Sequence, residues 1–223
     1  MAARAQPGPG ELDWPLEAWW PRTSPGFETE ERCVADPATN TPTPQVSRVV
    51  ADASEVARVL ARMAHEILEA NHGAENLLVL GIPTRGVHLA RRLAKLIGDI
   101  EGHPVRLGEL DITMYRDDLR ANPTRNPART SIPGSIDDAV VVLVDDVLYS
   151  GRTIGAAFDA LRDLGRPKAV RLAVLVDRGH RELPISADTV GRTIQAATDE
   201  RVSVLVSELD AADAITITRT GRA

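Results

Sequence analysis

Val141-Val142-Leu143-Val144-Asp145-Asp146-Val147-Leu148-Tyr149-Ser150-Gly151-Arg152-Thr153 is the stretch on which the reading of this chain turns. It continues an apolar run that begins at Ala139 and leads into a helical pattern from about Thr153 to Leu164, closed by Gly165. A short unbroken run of Val and Leu marks a strand buried on both faces. The carboxyl edge of such a sheet is where ligands sit. The turn after the acids supplies backbone N–H groups and the hydroxyls of Ser150 and Thr153, and the helix start adds partial positive charge. Gly151 lets the backbone approach a phosphate closely. Two adjacent carboxylates repel a bare phosphate, but they suit a ligand that also carries hydroxyls or brings Mg²⁺. A sugar phosphate meets both demands. Alone, Asp145-Asp146 would serve equally as a strand end and a helix cap; combined with the turn, the pair reads as a site. The stretch has neither the Gly-Lys-Ser/Thr ending of a Walker A loop nor a Gly-x-Gly-x-x-Gly dinucleotide turn.

Outward from this stretch, helical and apolar segments alternate. Asp52 and Glu55 have capping-box spacing, and Val56, Val59, Leu60, Met63, Ile67 and Leu68 form a helical stripe that stops at Asn71-His72-Gly73. Leu77 to Ile82 reads as a buried strand broken by Pro83-Thr84-Arg85-Gly86. A second helix follows, with Val87, Ala90, Leu93, Ala94 and Ile97 on one face. Val105 to Tyr115 reads as a strand. Arg116 to Ser135, with Pro123, Pro127 and Pro133, reads as a long polar loop of the kind that forms lids. Ala169–Val176, Val202–Leu209 and Ile215–Thr218 read as later strands. The alternation predicts an α/β fold with a central, mainly parallel sheet flanked by helices.

Composition sets the limits. The chain has 223 residues, 43% of them hydrophobic, which excludes global disorder and suits one α/β domain. Eight of its fifteen prolines and all three tryptophans fall in residues 1–47. That density opposes helices and paired strands, so this part is expected to be a disordered extension and residues 48–223 the folded domain. The formal charge of −6 is lopsided: seven acids and three arginines lie in residues 1–47, leaving the body at −2. The acidity therefore does not argue against a nucleic-acid partner of the body. The single cysteine, Cys33, excludes a disulfide framework and a Cys-rich zinc site. The longest apolar run, Ala139–Val144, falls far short of the roughly 20 residues of a membrane span. No apolar core follows a basic start, so a cytoplasmic protein with no membrane partner is expected.

The stretch from Asp145 to Thr153 resembles the phosphoribosyl pyrophosphate (PRPP) motif of type I phosphoribosyltransferases. More narrowly, it resembles the PyrR family, pyrimidine-operon regulators that also have uracil phosphoribosyltransferase activity. Three further segments share the resemblance in the same order: Gly81–Gly86, Gly108–Leu119 and Leu172–Pro184, so that it spans about residues 50–210. It implies the type I phosphoribosyltransferase fold. By resemblance, Thr84, Arg85 and Gly86 hold diphosphate, and Asp145 and Asp146 hold the ribose hydroxyls and, mainly through PRPP, Mg²⁺. Val147, Leu148, Tyr149, Ser150, Gly151, Arg152 and Thr153 would bind PRPP, with Ser150 to Thr153 on the 5′-phosphate. The loop from Arg116 to Ser135 would close as a lid. Arg116 is its candidate catalytic arginine, with Arg120, Arg125 and Arg129 as rivals.

Arg178 and His180 would lie at the uracil pocket or on the regulatory surface. The family's second function, binding the pyrimidine-operon mRNA leader under control of uridine nucleotides such as UMP and UTP, would draw on Arg62, His65, Arg181 and Arg192. His65 also reads simply as a solvated histidine on the polar side of its helix. The chain departs from the family at Ser186, where an arginine is usual, at Thr189, where a tyrosine is usual, and over Gly191–Ala197, which replaces a Gly-Lys-Asn-x-Pro-Thr-Ser run. These departures bear on RNA recognition rather than on PRPP. A homodimer or homotetramer is implied. Three readings stay open: a uracil phosphoribosyltransferase, a nucleotide-sensing regulator with little activity, and a purine phosphoribosyltransferase.

Overall fold

A computed structural model of the protein describes residues 47–115 and 130–219. The extension up to residue 46, with Cys33, and the lid arginines Arg116, Arg120, Arg125 and Arg129 lie outside the described residues. Strand β1 (Ser47–Ala51) begins one residue ahead of the folded domain expected from residue 48. Helix α1 (Ala53–Asn71) opens on the expected capping box: Asp52 Oδ1 accepts from Glu55 N–H at 2.9 Å, and the Glu55 carboxylate accepts from Asp52 N–H at 3.2 Å. It stops where His72 takes the left-handed conformation at φ 58°, followed by Gly73 at φ 112°.

The central sheet contains β2 (Leu77–Gly81), β3 (Arg106–Glu109), β4 (Val140–Leu148), β5 (Ala169–Asp177) and β6 (Thr189–Thr193), in the spatial order β3-β2-β4-β5-β6. Every neighbouring pair in it is parallel. Alternation along a strand sorts its side chains to two faces. Val79, Val142 and Val144 meet α1 and α2 (Arg85–Glu101) through Met63, Leu89 and Leu93. Leu80, Leu143 and Val174 meet α3 (Arg152–Leu164) through Ile154, Ala157 and Leu161. This is the expected two-sided cover.

Three details differ from expectation. The segment after Val105 stays in strand only to Glu109. Leu110 N–H then bonds to Gly81 O at 3.0 Å, and Asp111 Oδ1 accepts from the N–H and the hydroxyl of Thr113 at 2.9 and 2.6 Å. That local side-chain capture coils Thr113–Tyr115 into a single 3₁₀ turn. β6, with its Gly and polar residues, has a weak strand pattern and forms through its pairing with β5. The two late strands, β7 (Glu200–Leu205) and β8 (Ala214–Arg219), leave the central sheet and pair antiparallel in a separate sheet of order β1-β8-β7. Their alternation explains this: Val202, Val204, Ile215 and Ile217 are buried and the residues between them are more accessible, as in a sheet with one wet face.

The turn between β7 and β8 is clamped to α2. Arg92 reaches Glu208 at 2.9 Å, Asp213 at 2.8 and 2.9 Å and Ser207 Oγ at 2.9 Å. Arg85 reaches Asp210 at 3.0 Å. The Arg92 guanidinium holds the Asp213 carboxyl below its ordinary range, and the Val206 N–H, with Arg85, does the same for Asp210. Carboxyls depressed in the folded state stabilise it fully above their unfolded value of about 4 and lose that contribution as pH falls through the folded values. Thermal unfolding followed by circular dichroism is therefore expected to show a Tm that drops steeply below about pH 4. Arg92→Gln should start lower and drop less over the same range. Parallel curves would show that the clamp does not govern acid unfolding.

Candidate active site

Three parallel strands, β2, β4 and β5, bring their carboxyl ends to one edge, and the segments singled out by sequence gather there. Pairing along β4 is asymmetric. On one flank β2 follows it only to Val144, whose carbonyl accepts from Ile82 N–H at 3.0 Å. On the other flank β5 follows it to Leu148, opposite Asp177. Asp145 and Asp146 therefore lie inside a strand that runs on to Leu148, not at its end as expected, but past the point where β2 stops. The chain leaves β2 at Pro83, which has no N–H to continue a ladder.

Gly86, in the first turn of α2, is pressed against this place. A Cβ there would lie 2.5 Å from Val144 O and 3.2 Å from Asp145 Cα. Only a glycine lets the loop 83–86 sit so close to the acids. The Pro83-Thr84 peptide is cis. Thr84, at the N-cap, is exposed and makes no side-chain cap bond. The first-turn N–H groups of a helix have no intrahelical partner and carry its positive end. The Arg85 guanidinium, by contrast, is engaged: Nε and Nη2 both bond to the Asp210 carboxylate at 3.0–3.3 Å.

Neighbouring residues of a strand face opposite sides. Asp145 is buried at 7% exposure, while Asp146 is half-buried. Asp145 Oδ1 accepts from Asp146 N–H and Asp146 Oδ1 from Val147 N–H, each at 2.9 Å. Each bond orients a carboxylate. Val147 and Leu148 are strand residues, and the Leu148 side chain belongs to the core beside α3. The turn proper is Tyr149-Ser150-Gly151. Gly151 caps α3 at φ 91°, a left-handed conformation, and is buried against Leu183 and Ile185. Ser150 Oγ accepts from Arg152 N–H at 3.4 Å, and Thr153 is half-buried in the first turn of α3.

The segment after β5 braces this turn. Ser150 O accepts from Glu182 and Leu183 N–H at 2.9 and 3.0 Å, and Arg152 Nε donates to Glu182 at 2.6 Å. Arg181 donates to Asp177 at 2.6 Å, to Tyr149 O at 2.9 Å and to Ile185 O at 2.9 Å. Arg178 lies over the Tyr149 ring at 4.2 Å and donates to Glu200 O at 2.6 Å. His180 Nε2 is 2.9 Å from Ala196 O, with its ring edge-on to Tyr149 at 6.4 Å. Arg178 and His180 thus share an aromatic wall beside the turn. Arg62 and Arg192 stand elsewhere, between α1 and β6. Arg62 holds Val190 O at 3.1 Å and Gly191 O, and Arg192 holds Val50 O at 3.1 Å. His65 is exposed on α1.

Glu182 and Asp210 are the contributors that sequence reading missed. The signal for Asp210 was present: arginines seven apart on one helix, Arg85 and Arg92, match an acidic turn, Glu208, Asp210 and Asp213, between two alternating strands. Among the described residues no group of three or more His, Cys, Asp or Glu could hold a metal ion by itself, and no helix is long and apolar enough to cross a membrane.

Comparison with known proteins places this edge in a family. A family model described as the phosphoribosyl transferase domain matches residues 49–210. Bifunctional protein PyrR of Leifsonia xyli is 60% identical over 181 residues, 79% of this chain and 99% of that protein. Bifunctional protein PyrR of Streptomyces coelicolor is 58% identical over 172 residues, 77% of this chain and 89% of that protein. Among solved structures, a hypoxanthine-guanine phosphoribosyltransferase from Bacillus anthracis superposes with a TM-score of 0.56 at 17% identity, over 77% of this chain and 96% of that one. A hypoxanthine phosphoribosyl transferase from Trypanosoma cruzi gives 0.55 at 22% identity, over 67% and 79%. At such identity the two structures show the shared fold alone. The fold, the spacing of the loops around Asp145 and Asp146, and the identity to PyrR proteins agree: the chain belongs to the PyrR family of type I phosphoribosyltransferases.

Proposed function

We propose that this protein is a uracil phosphoribosyltransferase, forming UMP and diphosphate from uracil and PRPP, and also a uridine-nucleotide-responsive regulator that binds the mRNA leader of pyrimidine biosynthetic operons. The observation that carries the reading is 60% identity to a PyrR protein across 99% of that protein's length. A purine phosphoribosyltransferase draws support only from structures under 25% identical.

In the reaction, the uracil ring nitrogen bonds to the ribose carbon, the bond from that carbon to diphosphate breaks, and the nitrogen loses its proton. The transition state has oxocarbenium character. Asp146, the more accessible acid, holds the ribose hydroxyls and sets negative charge near the developing cation. Asp145 supports it from the buried side. The Tyr149–Thr153 turn takes the 5′-phosphate, and the loop 84–86 takes the diphosphate. Arg178 and His180 flank the uracil pocket. Arg116, on the lid outside the described residues, is the candidate to meet the leaving group, with closure excluding water. Mg²⁺ needs only one or two carboxylates when a substrate supplies phosphates, which fits the acid pair at this edge, where no larger cluster occurs among the described residues. When bound, it neutralises charge on the diphosphate.

For RNA, Arg62 and Arg192, with Arg58 and Glu55, line a groove of about 320 Å³ beside β6. Arginines there suit phosphates and unpaired bases. Arg181 is mostly buried and spends its donors within the chain, so it braces the PRPP turn rather than meeting RNA. A cytoplasmic homodimer or homotetramer accompanies this reading, with the folded domain following the Pro-rich extension.

The deciding measurement is a spectrophotometric assay with PRPP, Mg²⁺ and uracil, hypoxanthine, adenine or orotate in parallel. UMP from uracil alone is expected. A nucleotide formed only from a purine base would replace the uracil assignment, and folded protein yielding no product would leave the nucleotide-sensing regulator. For the regulatory half, a gel shift with the native leader plus UMP is expected to exceed that with scrambled RNA; equal binding would refute it.

A further inference from the structure

Arg85 stands in the diphosphate loop, and its guanidinium is already occupied. Nε and Nη2 present one edge to the Asp210 carboxylate, with contacts of 3.0, 3.2 and 3.3 Å. Such a two-point arrangement both neutralises and orients an arginine. Asp210 does not depend on Arg85 for its own placement. Its Oδ2 accepts from Val206 N–H at 3.0 Å, and its N–H donates to Val206 O at 2.7 Å. The same turn grips Arg92, seven residues along α2 and so about two helical turns from Arg85 on the same face. Arg85 is thus one end of a docking clamp between the small sheet and α2, and that end lies in the loop beside Asp145.

We propose that Asp210 is a positioning residue for the diphosphate loop: it commits the Arg85 side chain to the fold, so that the main-chain N–H groups opening α2 receive the diphosphate. The proposal rests on the PRPP reading of the site. Thr84 offers no side-chain cap to those N–H groups, and Gly86 presses the loop onto Val144 O. The position of the loop is therefore set by two contacts, glycine against β4 and Arg85 against Asp210. Releasing the second lets the first turn of α2 shift relative to the acids.

The test uses the full chain and calorimetric titration with inorganic diphosphate and Mg²⁺, together with kcat and the KM values for PRPP and uracil. Asp210→Asn keeps the shape and removes the charge. It is expected to weaken diphosphate binding and raise KM for PRPP about tenfold, the worth of a hydrogen bond to a charged group, with little change in kcat or in KM for uracil. Arg85→Gln should weaken binding by the same factor, and the double variant by no more, as for one shared interaction. Arg92→Gln, which cuts the far end of the clamp, should lower Tm while leaving diphosphate affinity unchanged. Should Asp210→Asn fail to fold, Asp210→Ser takes its place in the same comparison with Arg92→Gln. Unchanged or tighter diphosphate binding by Asp210→Asn would overturn the proposal, tighter binding marking Asp210 as a competitor for a guanidinium that itself takes diphosphate. Equal weakening by Arg92→Gln would reduce the effect to general docking and overturn it too. Wild-type protein that binds neither PRPP nor diphosphate would overturn the PRPP reading itself, and this proposal with it.

Discussion

Asp146→Asn is expected to lower turnover of uracil and PRPP by about 10²–10³-fold with the fold intact, the usual cost of removing one group placed against transition-state charge. Asparagine has nearly the same shape, and its side-chain oxygen can still accept from Val147 N–H, the bond that orients Asp146 at 2.9 Å. What disappears is the negative charge and its grip on the ribose hydroxyls. The ring gains positive charge only as diphosphate leaves, so the loss falls on kcat more than on the KM for PRPP. Asp146 is chosen over Asp145 because Asp145 is buried and a change there would mix stability with chemistry. Initial rates at saturating substrates, alongside thermal unfolding, make the measurement. A rate within about threefold of wild type would remove Asp146 from its assigned role.

Gly86→Ala is expected to abolish measurable PRPP binding and to cost about 1–3 kcal/mol of stability through overpacking. The added methyl would lie 2.5 Å from Val144 O and 3.2 Å from Asp145 Cα. Both are main-chain atoms of the central strand of the sheet, Val144 O bonded to Ile82 N–H and Asp145 paired with Val174 of β5, and cannot step aside as a flexible side chain would. Relief has to come from the loop, which backs away from β4 and carries the opening N–H groups of α2 with it. Diphosphate titration and urea unfolding together test this. Wild-type affinity in a stable Gly86→Ala protein would show that close approach of the loop is not needed.

Much of the architecture was legible because the relevant signals are local. The Asp52–Glu55 box, the α1 stripe and the Val-rich run of β4 each follow from residues a few positions apart, and the structure shows all three. The failures share a cause. β6 is a strand because β5 lies beside it, and the Val105–Tyr115 segment stops being one because Asp111 captures Thr113. The late strands were legible as strands, but their sheet was not, since pairing partners β1 and β8 lie at opposite ends of the domain.

The same division runs through the site. By itself the sequence determined the chemistry on offer: paired acids after a buried strand, a small-residue turn, a helix start, and a glycine loop, in an order that resembles one family. Residue types and short spacings carry that information. Only the tertiary structure decided which of these groups are available. Arg85 reads as a free cation until Asp210, far along the chain, is brought against it. Arg181 reads as a candidate for RNA until the turn it braces folds beneath it. A charge is named by its residue, but its partners are chosen by packing, and the partners decide whether it serves a ligand or the fold.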